Sequence, residues 1–259
     1  MSAGDMAPSS YSELTVPSLP PEVDCVNISW HETRVAYHHG NLRPALVEAA
    51  TALLEERGAL GVTLRGAARR AGVSQTAPYR HFPDKEALLA AVAEGGFRRL
   101  GEAMTRAARP HRANPARALE AMAIAVVRFA AHHGAHYRLM CGPAVRGRNH
   151  PGLREAALAA WRLLTVTVTE CQRAGWIRPG DPAALAFVLW SLVHGLSTLL
   201  VDEQIPPIVR QTWLPAELAQ KATQVLLEGL AGKRSARPGR AVAPTLSPRS
   251  PRRRRARRP

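Results

Sequence analysis

The fold is decided by residues 37–89, which read YHHGNLRPALVEAATALLEERGALGVTLRGAARRAGVSQTAPYRHFPDKEALL. Apolar residues recur in this stretch at the spacing of one helical face. The pattern predicts a first helix that has Asn41 as its N-cap and runs to about Arg57, followed by two short helices over 64–71 and 75–81. Two short helices joined by a tight turn form a helix-turn-helix motif.

The ends of these helices are marked by residues that favour helix caps. Thr63 and Ser74 are Ser/Thr-type N-caps for the two short helices. Gly58 and Gly72 stand where a helix ends in a left-handed residue, which glycine adopts without a Cβ clash. Pro78 is the fourth residue of the second short helix, where it cannot donate a backbone bond to Ser74, but it still lies within the first turn.

The second short helix is polar along most of its length. It presents Gln75, Thr76, Tyr79, Arg80 and His81, and these residues have little to contribute to an apolar core. A helix so short and so polar has few reasons to form except to touch a polar partner. The major groove of DNA is the natural candidate.

Two separate stretches resemble the TetR family of bacterial transcriptional regulators. The family signature is similar to Ala71-Gly72-Val73-Ser74-x-x-Ala77-Pro78-Tyr79-x-His81-Phe82-x-x-Lys85-Glu86-Ala87-Leu88-Leu89, within a region that covers about a fifth of the chain. A Trp-x-x-x-His-Gly element of one class of TetR-type C-terminal domain is similar to Trp190-Ser191-Leu192-Val193-His194-Gly195-Leu196. The two matches occur in the expected order, and the chain is identified as TetR-like.

The resemblance implies a set of DNA-binding residues: Thr63, Arg65, Ser74, Gln75, Thr76, Ala77, Tyr79, His81 and Lys85. Residues just inside the recognition helix touch base edges in TetR-like proteins, which places Gln75, Thr76 and Ala77 at the bases. A Gln amide can bond adenine at two atoms, and Thr and Ala methyl groups suit the thymine methyl.

The positions of Thr63, Arg65, Tyr79, His81 and Lys85 usually hold the phosphate backbone, which orients the domain without reading sequence. Other interpretations stay open. Gln75 and Thr76 could be plain polar surface, Tyr79 and His81 could have a partly structural role, and Tyr37, His38 and His39 could brush the backbone. Phe82 is predicted to be a core residue.

The sequence departs from the family pattern at Gly66-Ala67, where a Glu and a larger aliphatic residue often stand. A Gly there should cost the helix roughly 1 kcal/mol relative to Ala. A second glycine pair, Gly95-Gly96, falls inside the long helix that follows. We expect a soft point in the middle of that helix.

Composition indicates an all-α fold with four segments along the chain. Aromatic residues make up 5% and hydrophobic residues 46%, and long stretches lack proline. The predicted segments are a disordered N-terminal arm (1–36), a helix-turn-helix DNA-binding domain (37–84), a C-terminal effector-binding and dimerisation domain (85–231), and a disordered Arg-rich tail (232–259). Asp84 is the predicted cap of the first C-terminal-domain helix. The remaining helices are predicted at 85–109, 115–133, 135–142, 153–175, 182–204 and 215–231, which makes about nine helices in all.

Charge is concentrated in the tail. The formal net charge is +15, and residues 232–259 carry 11 Lys and Arg with no acid, which leaves +4 for residues 1–231. The tail therefore suggests an alternative function, an architectural protein that binds DNA without sequence preference. The two functions differ in how strongly the best site is preferred over random DNA.

Three widely spaced cysteines (Cys25, Cys141 and Cys171) give no disulfide framework, which favours a reducing cytoplasm. The first 30 residues do not resemble a secretory signal. No nucleophile elbow, phosphate-binding glycine loop or paired-carboxylate site is present in the sequence, so no enzymatic activity and no cofactor are predicted. The expected partners are a double-stranded DNA operator, a small-molecule effector and a second copy of the chain.

Residues 183–201 contain no charged side chain and are long enough to span a bilayer. A helix buried in a dimer interface is equally apolar, and TetR-like proteins pair their last two helices across a two-fold axis. The dimer interpretation is favoured over a membrane segment, since polar residues interrupt the run and acids flank it.

The predicted effector pocket comprises Phe129, His136, Trp161, Phe187, Trp190 and His194. An apolar cavity with a few polar groups fits these residues, although an ordinary core would show the same pattern. A metal site at His132, His133, His136 and Cys141 is a weaker alternative, because no acidic or Cys pair completes a ligand set.

Overall fold

A computed structural model describes residues 42–145 and 150–231, and within them it contains nine α-helices and no strand. The predicted all-α fold is confirmed. The N-terminal arm, the cap at Asn41, the backbone contacts of Tyr37, His38 and His39, and the basic tail lie outside the described residues.

The nine helices follow one another with short connections. They are α1 (Leu42–Gly61), α2 (Leu64–Arg70), α3 (Lys85–Ala108), α4 (Pro115–His132), α5 (Gly134–Cys141), α6 (Pro151–Arg173), α7 (Pro182–Val201), α8 (Pro207–Thr212) and α9 (Pro215–Leu230). Two 3₁₀ segments, Ala77–Arg80 and Arg109–His111, complete the described helical structure.

Side-chain caps begin several of the helices where the sequence predicts them. The Thr63 hydroxyl accepts from the Gly66 amide at 2.9 Å, and the Asp84 carboxylate accepts from the Ala87 amide at 2.7 Å. Each cap satisfies one of the backbone donors that a helix leaves unpaired at its start. These caps fix where α2 and α3 begin.

The predicted end of α1 and the predicted connection between α7 and α9 both need correction. Helix α1 continues to Gly61, but Gly58 inside it has φ of 66°, so the regular helix is interrupted where a stop was predicted. Helix α8 was not predicted, because Pro206-Pro207 is equally typical of a simple connection. Pro207 instead occupies the first helical turn, where a missing N–H costs nothing.

The helices pack around two apolar clusters. The first runs without a break from α1 and α2 through α3, α4 and α5, so the predicted DNA-binding and effector domains share one core. The second lies at the far end of the bundle, where the start of α4, the end of α6, the start of α7 and the end of α9 meet. The end of α9 is therefore remote from the helix-turn-helix.

Helix α7 is long and apolar enough to cross a membrane by length and composition, with a mean hydropathy of 1.9. It packs against α4, α6 and α9 within the helical bundle. Only 33% of its apolar window is buried in a single chain. Phe187, Val188 and Leu199 are the large apolar side chains of this helix that are exposed in a single chain.

Candidate nucleic-acid interface and effector site

The helix-turn-helix is built around a short, tightly packed first helix. Ala67 and Ala68 of α2 are fully buried, and Gly72 takes the left-handed conformation at φ 69° that lets the chain turn. A Cβ at Gly66 would lie 2.8 Å from the capping oxygen of Thr63 and 3.3 Å from a methyl of Leu53. A larger residue at Gly66 would therefore require Thr63 or Leu53 to shift.

The recognition segment is not the α-helix over 75–81 that the sequence predicts. Residues 75–76 form a turn, and only Ala77–Arg80 are helical, in a 3₁₀ segment. The Ser74 side chain lies 3.3 Å from the Thr76 hydroxyl and does not cap this segment.

Pro78 explains this geometry. An α-helix would need its missing N–H to reach the Ser74 carbonyl. That carbonyl instead accepts from the Ala77 amide at 3.1 Å, one residue earlier in the chain, which is the 3₁₀ pattern. Pro78 itself is buried, and the Phe82 amide donates to its carbonyl at 2.9 Å.

The predicted base-contacting residues lie on the outer face of this segment. Gln75 and Thr76 are exposed and Ala77 is half-buried. Tyr79 is 52% exposed, and His81 is exposed as well. Phe82 is buried, as predicted for a core residue, and Arg43 of α1 stacks on its ring at 5.3 Å.

The predicted phosphate-contacting residues surround the recognition segment. Thr63 and Arg65 are exposed at the start of α2. Lys85 is half-buried at the start of α3, and its Nζ donates to the Leu60 carbonyl at 3.1 Å. Lys85 therefore also closes the end of α1, a contact that no sequence pattern indicates.

The predicted effector residues fall into two groups. Trp190 and His194 stack one turn apart on α7 with ring centroids 5.5 Å apart, and the Tyr137 hydroxyl lies 2.9 Å from Nδ1 of His194. Tyr137 is fully buried, and burial raises the pKa of its hydroxyl. Trp161 packs against the second core, as Trp190 does.

The second group lies at the junction of α4 and α5. Phe129 and His133 have ring centroids 5.0 Å apart, and His133 meets the buried His136 edge-on at 6.5 Å. Phe187 joins neither group. It is 62% exposed on the outer face of α7, so in a single chain it does not line a shared pocket.

His136 is bonded on both ring nitrogens. Nδ1 lies 2.7 Å from Oε1 of Glu55 on α1, and Nε2 lies 3.0 Å from Nη2 of Arg99 on α3. The bond with His136 holds the pKa of the Glu55 carboxyl below its ordinary value, although burial opposes it. Burial lowers the pKa of both His133 and Arg99.

The metal alternative receives no support in residues 42–145 and 150–231, where no group of three or more ligating side chains gathers. His132 is bonded through Nδ1 to the Arg128 carbonyl at 2.7 Å, and burial raises the pKa of the Cys141 thiol to about 11. Both features suit ordinary helix-end and core residues.

A cleft of about 130 Å³ lies where α1, α3 and the start of α6 meet, and no sequence pattern predicts it. Arg43, Glu94 and His150 contribute its charged and titratable groups. Nε2 of His150 is 3.5 Å from a carboxylate oxygen of Glu86. The residues that line the cleft are distant in sequence and share no motif, so no sequence pattern could have predicted that they lie together.

Family models match two parts of the chain. Residues 46–92 match the bacterial regulatory proteins of the tetR family, and residues 119–231 match the tetracyclin repressor-like C-terminal domain. This chain belongs to the TetR family. It is a DNA-binding transcriptional regulator.

Solved structures share the fold of this TetR-family regulator. A protein of unknown function from Rhodococcus sp. RHA1 is 36% identical, with a TM-score of 0.65, and the match covers 76% of this chain and all of the other. A tetR-family regulatory protein from Rhodococcus RHA1 is 21% identical over 74% of this chain and 97% of its own, with a TM-score of 0.57. The regulator FadR from Bacillus subtilis, solved with stearoyl-CoA, is 17% identical over 72% of this chain and 98% of its own, with a TM-score of 0.59. No curated protein is similar enough in sequence to count as a match.

Proposed function

We propose that this TetR-family regulator is a cytoplasmic, ligand-responsive repressor that binds a near-palindromic operator as a homodimer. The observation that carries the proposal is the arrangement of the recognition segment. Gln75, Thr76 and Tyr79 face solvent, while Pro78 and Phe82 anchor the segment to the core from behind. Exposed polar groups on an anchored scaffold are what base and phosphate recognition require.

Roles within the interface follow from chemistry and position. Gln75 reads an adenine edge through its amide, and the methyl groups of Thr76 and Ala77 pack on thymine methyls. Ser74, Tyr79 and His81 lie beside them, and Thr63, Arg65 and Lys85 hold the phosphate backbone on either side. In this proposal residues 37–84 bind DNA, and residues 85–231 bind the effector and form the dimer.

The second copy of the chain pairs through the apolar outer faces of α7 and α9. Phe187, Val188, Leu199 and Val225 are all exposed in a single chain, and Val225 is 69% exposed. Apolar side chains left exposed on two neighbouring helices mark an interaction surface, and a two-fold axis would bury each against its counterpart. We therefore assign Phe187 to this paired face instead of the effector pocket.

The effector binds beside Trp190 and His194, with Phe129, Trp161 and His136 in the surrounding walls. His194 already contacts both Trp190 and Tyr137, so the ligand must displace these side chains to enter. That movement is the proposed signal. A FadR structure with this fold holds stearoyl-CoA, and an effector with a long apolar part suits the aromatic walls proposed here.

The alternative function, an architectural DNA-binding protein driven by the basic tail, depends on residues 232–259. It predicts little preference between the best site and random DNA. A specific regulator should prefer its operator by about 10³-fold or more.

Selection of bound sequences from a random DNA pool tests the proposal. The full-length protein should enrich a palindrome whose half-sites are centred one helical turn apart, about 34–36 Å. Enrichment of no common sequence would reject the operator proposal and favour the architectural alternative. Light scattering of the protein alone tests the dimer, which a monomer at micromolar concentration would contradict.

A further inference from the structure

Three consecutive residues of α5 reach three different places in the protein. His136 bonds to α1 and α3, Tyr137 bonds to α7, and Arg138 bonds to the residues that end α7. Adjacent residues of a helix point about 100° apart, so an eight-residue helix can contact α1 and α3 on one side and the predicted pairing helix α7 on the other.

The bonds of His136 are directional and fix its chemical form. A carboxylate only accepts, so Nδ1 must carry the hydrogen that is donated to Glu55. A guanidinium only donates, so Nε2 must be the acceptor for Arg99. The neutral Nδ1–H tautomer alone satisfies both partners. Because His136 is 2% exposed, losing either partner would leave a buried polar atom unpaired.

The opposite side of α5 is bonded to α7 at two levels. The Tyr137 hydroxyl meets Nδ1 of His194 at 2.9 Å. One residue further on, Arg138 Nε donates to the Asp202 carboxylate at 2.7 Å, and its Nη2 donates to the Val201 carbonyl. Both contacts join side chains of α5 to α7 or to the residue that follows it, so α5 cannot slide along α7 without breaking them.

We propose that α5 is a connector that fixes the orientation of the helix-turn-helix relative to α7, with Glu55 and Tyr137 as positioning residues for operator recognition. The inference rests on the proposed function, in which α7 lies at the two-fold axis. The distance between two recognition segments then depends on how each is held against its own α7. An operator with a fixed half-site spacing reads that distance, whereas a single half-site does not.

The test measures three affinities for the full-length protein: the operator selected from the random pool, a single half-site duplex, and the operator with one base pair inserted between its half-sites. The variants are Glu55→Ala, Glu55→Gln and Tyr137→Phe. Glu48→Ala is the matched control, because Glu48 lies exposed on the same helix and its loss changes the net charge equally. Melting temperatures are recorded for every protein.

Glu55→Ala and Tyr137→Phe should weaken binding to the operator about fivefold or more relative to Glu48→Ala and to wild type respectively, the usual lower range for coupling between sites. Half-site affinity should stay within about twofold of the same references. Both variants should also lose part of the preference for correct spacing. Glu55→Gln keeps an acceptor for Nδ1 and should recover most of the operator affinity.

Equal losses on operator and half-site would overturn the proposal, since α5 would then only support the fold. Operator affinities equal to those of the control would overturn it as well. If Glu55→Ala melts too low to assay, Tyr137→Phe and Glu55→Gln still decide the question, because they preserve side-chain volume. A wild-type protein that selects no operator would instead refute the proposed function.

Discussion

The ammonium group of Lys85 can make two contacts at once. Its Nζ already donates to the carbonyl of Leu60, near the end of α1, and its position suits a phosphate contact. An ammonium has three N–H donors, so one can hold α1 while another meets the backbone of DNA. Lys85 would then connect the phosphate directly to the first helix, and its removal should affect both binding and stability.

Replacing Gln75 or Lys85 by alanine should change DNA binding in different ways. Gln75→Ala should lose roughly 1–3 kcal/mol of discrimination at one or two operator positions, because the bidentate bond to a base is removed. Lys85→Ala should weaken binding to all DNA sequences alike. It should also lower the slope of log affinity against log salt by about 1. Binding titrations on operator and random duplexes at several salt concentrations measure both. Equal losses on the two duplexes for Gln75→Ala would refute its base contact.

Pro78 marks the limit of prediction at the level of single residues. The order of polar and apolar side chains predicted which positions face outward between 74 and 82, and the exposures agree with it. The pattern does not distinguish an α-helix from a 3₁₀ segment over so few residues. That choice depends on one missing N–H and on the carbonyl of Ser74 finding another donor.

At the level of helices, Gly96 lets α3 and α5 approach each other. A Cβ at Gly96 would lie 2.5 Å from the Met140 sulfur, whereas a Cβ at Gly95 would have only the end of Arg99 at 4.0 Å. The sequence predicts a soft point at this glycine pair. The structure shows that only Gly95 is open, and α3 continues through both positions.

These two neighbours provide a matched pair of variants. Gly95→Ala should raise the free energy of unfolding by about 1 kcal/mol through helix propensity. Gly96→Ala should lower it, because overpacking costs roughly 1–3 kcal/mol and outweighs the same gain. Chemical denaturation measures both. A stabilising Gly96→Ala would show that Met140 moves aside without cost.

Acid should destabilise the fold where α1 meets the junction of α4 and α5. Burial lowers the pKa of His133 below its ordinary 6.5, so the unfolded chain takes up that proton first. The stability contributed by neutral His133 is therefore complete above pH 6.5 and is lost as the pH falls below it. The lowered pKa of Glu55 adds a second loss that begins below its ordinary 4.5. The titratable and charged neighbours of these two groups are His132, His136 and Arg99.

Melting temperatures between about pH 8 and about pH 3 test this dependence. His133→Gln should remove part of the first loss, and Glu55→Gln should remove part of the second. Glu48→Gln, on the exposed side of α1, should keep the full wild-type profile. A His133→Gln protein with unchanged pH dependence above about pH 5 would exclude His133 as the source of the first loss.

Helix starts were predictable where a polar cap precedes an apolar face, as at Thr63 and Asp84. Helix α8 has only six residues and no buried side chain, so the sequence shows no helical spacing of apolar residues that would predict it. Its formation depends on Pro207 in the first turn, and the same proline is equally typical of a connection. Local chemistry alone does not separate the two.

At the scale of the whole molecule, the sequence could not show which distant residues meet. Glu55 and His136 are 81 positions apart, and Tyr137 and His194 are 57 apart. The sequence around each of these residues contains no motif that predicts its partner. Their pairing results from how α5 packs between α1 and α7, which no local pattern encodes. The DNA-binding face was predictable because it lies within one short stretch.

The described chain ends at Ala231, beside the second core and away from the helix-turn-helix. Helix α4 runs from the second core into the first core, and its 18 residues make it about 27 Å long. Residues 232–259 lie outside the described part, and their composition predicts an unstructured chain. Such a chain of 28 residues has an average span of roughly 30 Å. We therefore expect the tail to contact the DNA beside the operator for only part of the time.

Truncation after Gly232 should therefore weaken operator and random DNA by similar, modest factors. The slope of log affinity against log salt should flatten by about 0.9 for every phosphate that the tail no longer neutralises. Operator preference and melting temperature should not change, since α9 ends at Leu230 with its side chain in the second core. Unaltered salt dependence on random DNA would refute the electrostatic role of the tail. A selective loss of operator preference would show that its arginines read the minor groove, because contacts to phosphates alone do not distinguish sequences.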